Sequence, residues 1–269
     1  MEFANKVLWV ETMDDQPEED RAVKHALVMG AGGVAIRTTS NRLPTSIPRF
    51  HQSGLQVYAW RWPAVVPNSG GRYAIDEANY VAENLIPAGL DGYIVDPESE
   101  EDGGYNDWNR TNTPISVSQL AVNFCEVIRG AAQAHENTSF VFGITSGGNY
   151  PAFLKNLPWQ QFVSASDAVF PQIYWRARDQ HNVCRTVQDG KPNTRFSVCL
   201  PSWRAIARGK TIIPIGGEIS CIADFAELQV FAQRASAENL HLIHFYTDDP
   251  NVSPALCDAI KGLLPVQIA

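Results

Sequence analysis

Residues 89–136 read GLDGYIVDPESEEDGGYNDWNRTNTPISVSQLAVNFCEVIRGAAQAHE, and the fold turns on how this stretch divides. Tyr93, Ile94 and Val95 form a short apolar run suited to a buried strand. Five carboxylates then fall within seven positions: Asp96, Glu98, Glu100, Glu101 and Asp102. From Ser116 the period changes. Leu120, Phe124, Val127, Ile128 and Ala131 recur at i, i+4, i+7, i+8 and i+11, which is one face of a helix. The stretch reads as strand, loop, helix.

The same unit recurs along the whole chain. Predicted strands are KVLWVETM, GVAIRTTS, QVYAWRW, GYIVDPES, FVFGITSG, AVFPQIYW, FSVCLPSW and LHLIHFYT. Each precedes a helical pattern, short in SIPRFHQSG and weak around NVCRTVQDG. Several strands are near-continuous apolar runs, as expected where helices cover a parallel sheet. About eight strand–helix units with no domain-sized remainder predict a single (β/α)8 TIM barrel over 1–269, and such barrels commonly run to about 250 residues. The connection at 97–114 is long for its class and predicts a lid or substrate wall.

Composition narrows the function. Of the 269 residues 45% are hydrophobic and 19% charged, a globular balance, and the net charge of −8 comes with no basic stripe. Nucleic acid is therefore not an expected partner. No apolar run approaches the roughly 18 residues of a membrane span, so membrane insertion is not expected either. The N-terminus lacks a basic region followed by an apolar one, which predicts cytoplasmic synthesis without a signal peptide. The five cysteines, Cys125, Cys184, Cys199, Cys221 and Cys257, contain no CxxC pair. They read as reduced core residues, with two pairings left open, Cys184–Cys221 and Cys199–Cys221.

A barrel of this kind carries its site where the strands end at their C-termini. The predicted strand ends bring together Glu11, Arg37, Trp60, Arg61, Trp62, Asp96, Glu98, Thr145, Ser146, Gln172, Tyr174, Trp175, Trp203, Tyr246, Asp248 and Asp249. Four of the seven tryptophans are among them. Aromatic faces beside polar groups suit a sugar ring, whose C–H faces stack while its hydroxyls hydrogen-bond. The carboxylates at 96 and 98 share one strand face with Ile94, about 6.6 Å apart along the chain. Neighbouring carboxyls push their pKa values apart, so one keeps a proton near neutral pH and serves as a general acid. Glu100, Glu101 and Asp102 read as a solvated rim.

IVDPE resembles the D-x-E strand motif of TIM-barrel glycosidases that cut N-acetylated glycans, the family 25 type lysozymes especially, and FPQIYW is similar to their Q-x-Y segment. The resemblance implies a glycoside hydrolase acting on peptidoglycan or a related polysaccharide. Glu98 is then the general acid, and Asp96 the carboxylate that polarises the acetamido group as internal nucleophile. Gln172 and Tyr174 hold that group. Glu11, Arg37, Trp60, Arg61, Trp203, Tyr246 and Asp248 fill out the substrate site. No cofactor is needed. Family 25 enzymes usually carry aspartate where this chain has Glu11. A cell-wall enzyme without a signal peptide would reach its substrate by lysis or a dedicated secretion system. The rival expectation is a glycosidase-like barrel that binds a glycan or a protein partner without cleaving it.

Other motifs carry less. VMGAGGVAI follows a helix and precedes a strand, the wrong order for a dinucleotide loop. His241 and His244 are three apart on a predicted strand and face opposite sides, so no metal site is expected. Ser146 and Ser202 lack a nucleophile elbow. Arg37 and Arg61 are candidates to pair with Glu11 and Asp96.

Overall fold

The computed structural model of the chain describes residues 3–99 and 104–263. In order the first half runs β1 Lys6–Val10, α1 Gln16–Val28, β2 Gly33–Arg37, α2 Leu43–Gln52, β3 Gln56–Arg61, α3 Ala74–Tyr80 and β4 Gly92–Val95. A π-helical turn at Val81–Leu85 extends α3. Next come α4 Val117–Ala134, β5 Val141–Gly147, α5 Tyr150–Phe153, α6 Trp159–Ala165 and β6 Ala168–Gln172. The chain then departs from regular alternation with β7 Arg176–Arg178 and β8 Cys184–Thr186, followed by α7 Pro192–Ala207. It closes with β9 Thr211–Ile212, β10 Ile215–Gly216, α8 Ala226–Ala237, β11 Ile243–Asp248 and α9 Pro254–Lys261.

Parallel pairing runs β11–β1–β2–β3–β4–β5–β6, and β10 pairs with both β6 and β11 to complete the ring. With β9 and β10 sharing one stave, eight parallel strands close a single-domain (β/α)8 barrel. Helix starts follow local rules. Asp15, Ser116 and Ser253 each accept a backbone N–H of the first turn, at 2.9, 3.1 and 3.2 Å. Such caps contribute about 1 kcal/mol each.

Strand alternation sorts the apolar residues into two cores. Val7, Trp9, Tyr58, Trp60, Ile94, Phe170 and Ile215 fill the barrel interior. Leu8, Val10, Val57, Ala59, Tyr93, Val95 and Val169 take the opposite parity and pack under the helices. Large interior rings need glycine beside them. The Tyr58 ring lies over Gly33 of β2 and Gly92 of β4, and a Cβ at Gly92 would meet the Val141 carbonyl oxygen at 2.5 Å.

Two predicted units are corrected. FSVCLPSW is helix, within α7, because Phe196, Cys199, Leu200, Trp203 and Ala207 bury one face at helical spacing. A short, mostly apolar run such as FSVCL is ambiguous between strand and helix, and Pro192 in the first turn marks the helix start. The true seventh stave is TIIPIG, which Pro214 interrupts: a proline has no N–H for a ladder. The weak helical pattern around NVCRTVQDG is instead β8 of an antiparallel hairpin with β7, outside the barrel sheet.

Cys184 of that hairpin is disulfide-bonded to Cys221, 37 residues on. This settles the pairing left open above and corrects the all-reduced reading, which holds for buried Cys125, Cys199 and Cys257. In the chain-entropy account, closing a loop of that size contributes roughly 3–4 kcal/mol.

Gly92→Ala is expected to destabilise the barrel by about 2–3 kcal/mol, since the new Cβ is opposed by backbone as well as by Tyr58 and the Val141 side chain. Urea unfolding measures it; a loss below 0.5 kcal/mol would mean that β4 and β5 are not packed as described.

Candidate functional site

The C-terminal ends of the strands surround a pocket of ≈ 480 Å³. Its base is aromatic. Trp60 stands 5.3 Å from Trp9 and 5.3 Å from Trp62, ring centre to ring centre, and meets Tyr246 edge-on at 6.0 Å. Tyr246 in turn stacks on Tyr174 at 5.5 Å and 16°. The indole N–H of Trp60 is spent on the Val10 carbonyl and that of Trp9 on His244 Nδ1, both at 3.2 Å, which fixes the two rings. Burial holds His244 neutral, its pKa lowered to about 3.

On one wall stand Asp96 and Glu98, both lining the pocket, with Ile94 on the same face below them. Asp96 is held by its backbone N–H, which donates to the Arg61 carbonyl at 2.7 Å. Gln172, ending β6, reaches across and donates through Nε2 to both Asp96 oxygens, at 3.2 and 3.4 Å. The Glu98 side chain hydrogen-bonds the Asp96 carboxyl. Two carboxyls so joined must share a proton. Asp96 is only 4% exposed. Desolvation raises its pKa to about 7, and the hydrogen bonds from Glu98 and Gln172 counter this only in part. Among the described residues no cation acts on it. Ser146 and Thr145 are buried framework: Ser146 Oγ donates to the Pro97 carbonyl at 2.6 Å and Thr145 Oγ1 to the Phe170 carbonyl at 2.7 Å.

Residues 104–109 pack beside the pocket. Trp108 N–H donates to the Glu98 carbonyl at 2.8 Å, and its indole, fully buried, donates to the Pro63 carbonyl at 2.8 Å. Tyr105 and Asn106 thereby join the lining. Asn106 is 6% exposed, and its Oδ1 has no hydrogen-bond partner among the described residues. Glu100, Glu101 and Asp102, read as the solvated rim, lie outside the described residues. Opposite stand Ala177 and Arg178 of the hairpin and Glu218, just after β10. Burial raises the pKa of Glu218, with Arg178 opposing.

Several expected site residues lie elsewhere. Arg61 points into the helical shell, where Glu77 is the strongest charge acting to raise its pKa against desolvation; it does not pair with Asp96. Its neighbours Trp60 and Trp62 take the inner parity, so the three cannot share a face. Trp203 belongs to α7 and is buried against Trp159, its N–H on the Gly148 carbonyl at 2.8 Å. Trp175 packs on Phe231 in the shell. Asp248 binds Arg21 at 2.9 Å and His25 at 2.6 Å, tying α1 to the sheet. A register shift between β1 and β11, where Leu8 faces Phe245 but Val10 faces Asp248, turns it outward. Glu11 and Arg37 form a rim pair at 2.8 Å, and Glu11 also accepts from the Tyr246 hydroxyl at 3.1 Å, so the pair braces the pocket without lining it.

Trp9, Asn106, Arg178 and Glu218 were missed. Trp9 was legible from parity, two residues before Glu11. Glu218 follows the seventh stave directly and was hidden by the misplaced strand. Asn106 is brought in by a loop and Arg178 by the short hairpin strand β7, whose courses no periodicity reveals.

No protein-family model and no curated protein matches the chain. Solved structures resemble it in fold. The PgaB (BpsB) glycoside hydrolase domain from Bordetella bronchiseptica aligns with a TM-score of 0.63 at 12% identity, over 97% of this chain and 98% of that one. A xylanase-A-amylase inhibitor protein (XAIP-III) aligns at 0.58 and 14%, over 98% and 100%. The xylanase and alpha-amylase inhibitor protein XAIP-II from Scadoxus multiflorus aligns at 0.58 and 11%, over 97% and 99%.

The acid pair has a thermodynamic signature. An unfolded aspartate ionises near 3.9, so between about pH 4 and 7 native Asp96 keeps a proton that the unfolded chain has lost. Its contribution therefore falls as pH rises through that window. Buried His244 has the opposite sign, but wild type and Asp96→Asn share it. Between pH 4.5 and 8 the variant is expected to gain on wild type by on the order of 2–4 kcal/mol in urea unfolding. Parallel pH profiles would show that Asp96 ionises as an ordinary aspartate.

Proposed function

We propose that the chain is a glycoside hydrolase acting on an N-acetylated polysaccharide, with peptidoglycan as the first candidate, Glu98 as general acid and base, and Asp96 as its assisting carboxylate. The observation that carries this reading is the hydrogen-bonded Asp96–Glu98 pair in an aromatic pocket. Hydrolases that use two carboxylates on opposite sides of the bond need them about 5–5.5 Å apart for retention or about 6.5–9.5 Å apart for inversion. A directly hydrogen-bonded pair is too close for either. It suits a route in which the substrate supplies the nucleophile.

In that route the sugar stacks on the half-buried Trp62, which the buried Trp60 supports from beneath. Glu98 gives its proton to the glycosidic oxygen as the bond to the anomeric carbon breaks. The acetamido oxygen closes on that carbon, with its N–H held by Asp96 and its orientation set by the Tyr174 hydroxyl and Gln172. Water, deprotonated by Glu98, then opens the ring and restores the starting state. Asn106 Oδ1 offers an acceptor to a sugar hydroxyl. The disulfide supports an oxidising working compartment, reached by lysis or dedicated secretion.

A second reading, binding without cleavage, is favoured by the likeness to the xylanase and amylase inhibitor proteins and by the hairpin wall beside the acid pair. One experiment separates the two. Zymography on purified peptidoglycan is run with wild type, Glu98→Gln and Asp96→Asn at equal loading. Clearing by wild type and a loss of about 10²-fold or more in each variant, with folding unchanged by circular dichroism, supports the hydrolase. Equal clearing by all three rejects the assigned acid. Retention of glycan with no new reducing ends supports the binding protein.

A further inference from the structure

The hairpin of β7 and β8 lies outside the barrel sheet, yet it supplies part of the pocket wall. Ala177 and Arg178 do so, and the cross-strand partner of Arg178 is Cys184. Cys184 is exposed and bonded to Cys221. The turn leading to Cys221 is the same one that carries Glu218 and Ser220. Arg178 donates to Ser220 Oγ at 2.7 Å and to Asp249 at 2.8 Å, and its Nε stands 3.5 Å from Glu218 Oε2. One covalent bond thus sits directly behind the contact between the two residues that form this wall.

Besides that bond, the wall is held by the Glu218 N–H donating to the Arg176 carbonyl at 2.6 Å and by the polar contacts of Arg178. Each hairpin strand has three residues, none of them buried, and a two-stranded ribbon of that length is marginal in water. Its turn is organised internally, by Asp179 accepting from His181 and Val183 backbone N–H groups and from Arg185. At the base, Arg176 and Trp175 bind Glu227. Apart from the disulfide, the tip rests on polar contacts alone, the Arg178 ion pairs with Glu218 and Asp249 and its hydrogen bond to Ser220 Oγ. The remaining cysteines are buried and do not compete for exchange.

We propose that Cys184–Cys221 is a redox clamp on the pocket: oxidised, it holds Arg178 and Glu218 as a substrate-binding wall opposite the acid pair, and its reduction by a dithiol releases that wall while the barrel stays folded. A thiolate of the dithiol attacks one of the two bridging sulfurs to form a mixed disulfide. Its second thiol displaces the protein sulfur, leaving Cys184 and Cys221 as thiols and the reagent as a cyclic disulfide. Two electrons and two protons pass to the protein. The substrate part of this inference rests on the hydrolase reading; the clamp itself does not.

The test uses the full chain, oxidised and after dithiothreitol, with the gain of two thiols titrated. Amide exchange at 176–190 and 217–222 is expected to rise about tenfold or more on reduction, with β1–β6 unchanged and full return on reoxidation. Carbodiimide labelling of Glu218 rises in parallel. With peptidoglycan fragments, KM rises about tenfold while kcat changes less than threefold, because the acid pair is untouched. Cys184→Ser/Cys221→Ser behaves as the reduced protein in either medium. Unchanged exchange and labelling after verified reduction overturn the clamp. Loosening with unchanged KM overturns the substrate role of the wall. If no glycan is bound or cut in either state, the hydrolase reading has failed, and exchange with Glu218 labelling still decides the clamp.

Discussion

A strand in a closed barrel turns alternate residues to the interior and to the helices, and the position of nearly every group in this protein follows from that constraint. It gathers Trp9, Trp60, Ile94 and Phe170 into an inner core and carries Asp96, Gln172, Tyr174 and Tyr246 upward on the same faces to the mouth. It also removes Arg61, one residue from Trp60, to the far side of the sheet. Where the alternation is interrupted, as at the β1–β11 register shift, a carboxylate such as Asp248 leaves the mouth and becomes a brace for α1.

Within that frame the site is costly to build. Asp96 has lost its water and gained an amide and another carboxyl in place of a cation. A buried carboxylate without a countercharge keeps its proton to higher pH. This is a stability loss concentrated where a proton donor is useful. The aromatic base completes the arrangement: Trp9 and Trp60 are buried with their N–H groups satisfied inside the protein, and the half-buried Trp62, Tyr174 and Tyr246 form the aromatic surface of the pocket.

The sixth unit breaks the repeat, and its irregularity is local to the pocket. Where other barrel strands run through a loop into a helix, this one inserts an antiparallel ribbon. Trp175 and Arg176 hold it at its base, and a disulfide together with the Arg178 contacts to Glu218, Ser220 and Asp249 holds its tip. A small ribbon buries too little apolar surface to fix its own position, so a covalent tie is an effective way to add a wall to a site whose remaining walls are barrel strands.

The strand–helix alternation and the interior parity of Ile94, Asp96 and Glu98 were legible in the residues, because period 2 and period 3.6 are local properties of the backbone. FSVCLPSW and TIIPIG were not: a short apolar run fits either period, and a proline masks a strand that only its neighbours complete. Tertiary structure alone decided that Cys184 meets Cys221, that Arg178 and Asn106 enter the pocket, and that Trp203 does not. Those outcomes depend on where segments far apart in sequence come to rest, and a local pattern contains no term for that distance.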